Sequence, residues 1–183
     1  MLLSIGGLIY LGTIPKSVPY VIEISELGEA SFRGELGVEA ASFRPTDKHV
    51  QYQLRHFIQA VRSVSSDARV TEQLWQQAMS MCTGRCGRML DTYVNDGGGN
   101  PMKRMAKEHV TVDVVAAVPL SGGESWQIDW REKNWDTTGR LDREVLWRGI
   151  LHVQTRPPAS LDDMRANPLG LFVDELSWDE VRQ

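Results

Sequence analysis

The chain has 183 residues, 24 acidic against 20 Lys and Arg side chains, a formal net charge of −4 and 42% apolar residues. Length and apolar content together exclude a disordered chain, and the mild acidity argues against a general nucleic-acid binder, which needs a basic surface. Two cysteines cannot build a disulfide framework or a pair of zinc knuckles, and no collagen-like, coiled-coil or solenoid period runs through the sequence.

Residues 1–14, MLLSIGGLIYLGTI, carry no charged side chain. A bilayer span needs about 20 apolar residues. A secretory signal would place basic residues before its apolar run, whereas Lys16 comes after it. Gly6, Gly7 and Gly12 weaken a helix in water but are common in membrane helices. We read the segment as the outer half of a transmembrane helix whose inner half is missing; the alternative is a buried N-terminal strand or helix. Residues 15–44 follow as a linker. Pro15 and Pro19 stiffen its start, and Tyr20-Val21-Ile22-Glu23-Ile24 is a short β-prone stretch.

The main domain is expected over residues 45–183. Pro45-Thr46-Asp47 reads as a helix start, after which Val50, Leu54, Phe57, Val61 and Val64 recur at steps of three and four, one face of an amphipathic helix. A second helix is expected from about Thr71, with Leu74, Ala78 and Met81/Cys82 in step. Gly84 and Gly87 interrupt it before Met89, Leu90, Tyr93 and Val94 resume, which predicts a kink or break. Asp96-Gly97-Gly98-Gly99-Asn100-Pro101 is a loop, followed by a short helical turn.

The period then changes to two. Val110, Val112, Val114, Ala116 and Val118 alternate with Thr111, Asp113, Val115 and Ala117. Trp126, Ile128 and Trp130 alternate with Gln127, Asp129 and Arg131 beyond a turn at Pro119 to Gly123. After a second turn around Asp136 to Gly139, Val145, Trp147, Leu151 and Val153 share one face of a third strand, with Arg148, Ile150, His152 and Gln154 on the other. Leu161 to Arg165 suits one helical turn and Leu169 to Trp178 a last strand. Short turns between alternating strands mean antiparallel hairpins, so the fold class is α+β, with N-terminal helices on one face of a curved antiparallel sheet of about four strands.

The order of these elements and several strings carry a resemblance. They are Phe43-Arg44-Pro45-Thr46-Asp47, Val118-Pro119-Leu120-Ser121-Gly122, Trp126-Gln127-Ile128-Asp129-Trp130, Asn167-Pro168-Leu169-Gly170-Leu171-Phe172-Val173 and Ser177-Trp178. In order and spacing the chain resembles the TrbF-like conjugal transfer proteins, bitopic subunits of bacterial type IV secretion systems. The resemblance implies a cystatin-like, or nuclear-transport-factor-like, fold. It implies a single-pass inner-membrane protein with its main domain in the periplasm, and a scaffold for a conjugal DNA transfer channel. The implied partners are a second copy of the chain, as a dimer, other inner-membrane and periplasmic channel subunits, and the membrane through the N-terminal helix. No catalytic, cofactor-binding or metal-binding residue and no direct nucleic-acid contact is expected.

Two segments stand out as candidate sites. In Asn167-Pro168-Leu169-Gly170, Pro fixes φ, Asn bonds nearby backbone and Gly permits positive φ, which specifies a sharp turn into the last strand. A rigid turn beside a sheet edge would present main-chain groups and Leu169 in a fixed pose to a partner, and the resemblance associates this turn with partner contacts; the other reading is a purely structural turn. On the first reading, Asn167→Ala and Gly170→Ala should impair partner binding in a domain that still folds. Cys82 and Cys86 are four apart, a spacing that suits a disulfide in an oxidising periplasm and equally suits two small core thiols. The rival function is a small-molecule binder or isomerase-like enzyme using a conical pocket between helices and sheet, with Asp113 and Arg148 as its inward ionisable candidates.

Overall fold

The computed structural model describes residues 20–24, 30–35, 45–158 and 160–182. The transmembrane reading of residues 1–14 falls outside them. β1 (Tyr20–Ile24) forms where the β-prone stretch was expected and pairs antiparallel with β2 (Ala30–Glu35), which the sequence reading did not anticipate.

The main domain begins with α1 (Asp47–Arg62), α2 (Ala68–Ser80), α3 (Gly84–Asn95) and α4 (Pro101–Arg104). It continues through β3 (Glu108–Pro119), β4 (Ser125–Asp136), β5 (Leu141–Thr155), α5 (Leu161–Ala166) and β6 (Leu171–Glu180). The strands run β3-β4-β5-β6 as an antiparallel meander, with α1 lying against β3 and α3 against β6. Helices on one face of a four-stranded sheet is the α+β arrangement expected.

The first helix buries the stripe its spacing predicts, whereas in α3 Leu90 is buried but Met89 is 37% exposed. Leu54, Phe57, Ile58 and Val61 of α1 are buried, while Asp47 and Arg62 place their charges at the ends that suit the helix dipole. The break between α2 and α3 falls at residues 81–83, before the glycines that were expected to cause it. The Thr83 hydroxyl caps α3, accepting from the N–H groups of Arg85 and Cys86, and Gly84 and Gly87 lie inside the first turn of the new helix. The freed backbone is used elsewhere. Thr83 N–H donates to the Val173 carbonyl at 3.0 Å and Val173 N–H to the Met81 carbonyl at 2.7 Å, so the break grips the outer edge of β6.

One strand departs from simple alternation. The β3–β4 register shifts between Val114 and Ala116, and that bulge turns the following residues over. Ala117 is therefore 4% exposed, whereas Val115 and Val118 stand outward at 52% and 48%. The expected in-phase run Val110 to Val118 holds only as far as Val114. In β4, Trp126, Ile128 and Trp130 point inward as read, and Glu132 continues on the same buried face.

Candidate partner interface and the hollow at Arg62

The Asn167–Gly170 turn is built inward. The Asn167 carboxamide donates through Nδ2 to the Leu171 carbonyl at 2.7 Å and accepts the Leu171 N–H at 3.2 Å. Gly170 sits at φ +57°, its N–H bonded to the Asn167 carbonyl at 2.9 Å, and Arg156 N–H donates to the Gly170 carbonyl at 2.8 Å. A Cβ at position 170 would overlap the Arg156 carbonyl oxygen, so glycine is required both for its φ and for the close approach. Asn167 is 5% and Leu169 3% exposed, and Leu169 belongs to the core cluster. The expectation that Leu169 is offered to a partner is therefore corrected: the turn packs it under the sheet.

The turn shapes the surface beside it. An apolar cavity of about 280 Å³ opens between α5, the end of β5 and the start of β6, walled by Pro157, Pro158, Ala166 and Phe172 with Ser80 and Arg156 at its margins. The Arg156 guanidinium lies over the Phe172 ring, 5.8 Å from its centroid.

Cys82 and Cys86 are joined as a disulfide, with Cα atoms 5.2 Å apart. Cys86 is completely buried, so the bond ties the segment that grips β6 to the first turn of α3. Among the described residues, no group of three or more His, Cys, Asp or Glu is disposed to hold a metal ion. His152 shares a 3.1 Å hydrogen bond with the Ser125 hydroxyl on the outer sheet face.

The arrangement that sequence reasoning missed lies at the other end of the sheet. Arg62 and Glu132 form a buried bidentate pair, Nε to Oε1 at 2.6 Å and Nη2 to Oε2 at 3.1 Å, and the Trp130 indole donates to Oε1 at 2.7 Å. Aromatic rings enclose the guanidinium, with Trp147, Trp178 and Tyr93 centroids at 4.5, 5.0 and 5.3 Å. A signal for this was present: Glu132 is the next in-phase position after Trp126, Ile128 and Trp130, and Arg62 lies four residues beyond Ile58 on the buried stripe of α1.

That pair forms one wall of a hollow of about 580 Å³, bordered also by Arg104, Glu108, Asn134 and Arg143. Burial opposes ionisation of Glu108, but hydrogen bonds from Arg104 and Asn134 and the Arg104 charge outweigh it and hold the carboxyl below its ordinary range. A general acid working near neutral pH needs the opposite shift. The two ionisable residues suggested for an enzyme do not enter the hollow. Asp113 is exposed, and Arg148 pairs with Asp129 on the outer sheet face at 2.7 and 2.8 Å.

A four-stranded antiparallel meander covered by helices on one face, with a hollow between them, defines an α+β domain of the nuclear-transport-factor-like class. Solved structures share this fold. The TrwG component of the type IV secretion system of Bartonella birtlesii superposes with a TM-score of 0.64 at 16% identity, over 72% of this chain and 90% of that one. The VirB8 protein of Agrobacterium tumefaciens superposes with a TM-score of 0.61 at 12% identity, over 72% of this chain and 90% of that one. The profile of the VirB8 protein family matches residues 1–181, and the chain belongs to that family. The conjugal transfer protein TrbF of Rhizobium radiobacter is 29% identical over 179 residues, covering 96% of this chain and 78% of the relative.

Proposed function

We propose that the chain is a structural assembly subunit of a bacterial type IV secretion channel of the conjugal DNA transfer kind, working through contacts with a second copy and with other channel subunits. The observation that carries this reading is the family match over residues 1–181, which spans the apolar N-terminal segment as well as the folded domain. In this reading residues 1–14 belong to an inner-membrane helix, residues 15–44 are a linker, and residues 45–183 form a periplasmic domain. Among the described residues no helix is long and apolar enough to cross a membrane, so the proposed anchor rests on residues 1–14.

The subunit acts without catalysis and without a cofactor. The Arg62–Glu132 pair at the hollow serves as packing: the Arg62 guanidinium is already enclosed by this chain's own rings and carboxylate. The Asn167–Gly170 turn is a partner surface by virtue of the relief it imposes on Arg156, Pro157 and Phe172, since its own side chains are buried. Tethering on a membrane raises the effective concentration of neighbouring copies, which supports a weak dimer.

Deleting the gene in a donor strain tests the reading. Conjugal transfer should be lost and should return with the wild-type chain; undiminished transfer in the deletion strain would overturn it. In cells acid-quenched and then denatured, so that buried Cys86 is reachable, Cys82 and Cys86 should resist maleimide labelling until a reductant is added. Labelling without reductant would contradict an oxidising location.

A further inference from the structure

We propose that the cavity beside the Asn167–Gly170 turn binds an extended peptide segment of a partner subunit, taking one apolar side chain into the cavity and an adjacent Asp or Glu onto Arg156. The proposal rests on reading this turn as a partner surface and adds the chemistry of what the surface takes.

Size comes first. At about 280 Å³ the cavity is smaller than the ~300–1,000 Å³ of sites that enclose drug-sized ligands, and suits one or two side chains. Its walls explain the mode of binding. Pro157 and Pro158 have no N–H to offer, so this wall attracts by apolar surface and not by strand pairing. The walls are also fixed in advance. Asn167 is bonded twice to Leu171, and Arg156 is bonded through its backbone to Gly170, so little chain ordering is needed when a peptide arrives.

Charge selects the occupant. Arg156 is exposed, its guanidinium lies over the Phe172 ring, and it takes no part in the ion pairs of the described residues. A guanidinium resting over a ring face keeps its donors free for a carboxylate. Asp163 borders the same cavity without pairing to Arg156. It repels a second acid on its own side and so sets which end of the peptide carries the carboxylate.

The probes are the N-acetyl, C-amide dipeptides Leu-Glu, Leu-Gln and Leu-Lys, titrated into the full chain and followed by backbone amide NMR. The acidic probe should shift the amides of Ala166, Gly170 and Phe172 and bind about threefold to fivefold more tightly than the neutral one, as fits a solvent-exposed ion pair. The lysine probe should bind most weakly, and Arg156→Glu, at an exposed position, should invert the order. An order indifferent to probe charge or to Arg156→Glu, shifts confined to other surfaces, or no binding of any probe would overturn the proposal.

A transfer assay separates this proposal from the reading beneath it. Loss of conjugal transfer in Arg156→Glu without any peptide binding would leave the partner surface standing and remove the acidic-peptide chemistry. Binding in the stated order with wild-type transfer in Arg156→Glu would support the pocket chemistry and remove the partner role.

Discussion

The carboxamide of Asn167 is closed on the main chain of Leu171, donating at 2.7 Å and accepting at 3.2 Å in a buried position. The side chain thereby does the work of a strand partner for a residue at the start of β6.

Asn167→Ala leaves the Leu171 N–H and carbonyl without that partner, at a cost of about 1–3 kcal/mol. Gly170→Ala adds backbone strain at positive φ to the overlap with the Arg156 carbonyl, and should cost about 2–4 kcal/mol. Urea unfolding of the two variants should show lower midpoints with an unchanged slope. Wild-type midpoints would mean that the turn is not built as described. Because both changes act on stability, impaired partner binding in either one is not by itself proof of a lost contact. Exposed Arg156 is the cleaner position to test.

Elements set by periodicity were the legible part of this chain. The stripe Val50, Leu54, Phe57 and Val61 located α1, and Trp126, Ile128 and Trp130 located β4 and its inward face, because both signals repeat. What depends on a single residue's surroundings was not legible. The bulge after Val114 adds one residue to β3 and turns Val118 outward, and no feature of a run of valines and alanines marks where that falls. The α2–α3 break was anticipated, but its position follows from the Thr83 cap and from bonds to Val173, a residue far along the chain. The turn at Asn167 was recognised from its residue types, whereas the burial of Leu169 depends on a core assembled from other segments.

The pair Arg62–Glu132 should behave as a unit. Arg62→Met or Glu132→Met alone leaves one charge buried without its partner, and each should cost about 3–5 kcal/mol. The double variant should lose far less than the sum of the two, since both charges leave together. A double-mutant cycle by urea denaturation reads the difference. Strict additivity would mean that the pair is not coupled in solution.

The β4–β5 hairpin carries a pH signature. The Asp136 carboxylate accepts from the Thr138 hydroxyl at 2.6 Å, the Thr138 N–H at 2.9 Å and the Arg140 N–H at 3.0 Å. The Thr138 hydroxyl first, and then the Arg140 N–H, lower its pKa from 3.8 to about 2. For an acid whose folded pKa is depressed, the stabilisation is present above the ordinary value and lost as pH falls through the folded one, here between 3.8 and about 2. The Thr138 and Arg140 amide resonances should accordingly titrate with a midpoint near 2. A midpoint near 3.8 would show that the carboxylate is not held.

A chain that works by touching its neighbours in a secretion channel must have those neighbours within reach of its partner surface. Site-specific photo-crosslinking in a conjugating donor cell tests it most directly, with the photoreactive side chain placed at Phe172 and, as a control, at Thr138 on the far hairpin. Position 172 should crosslink to another channel subunit or to a second copy of this chain, and position 138 to neither. Crosslinks from position 172 only to proteins outside the channel, in cells where transfer proceeds normally, would contradict it.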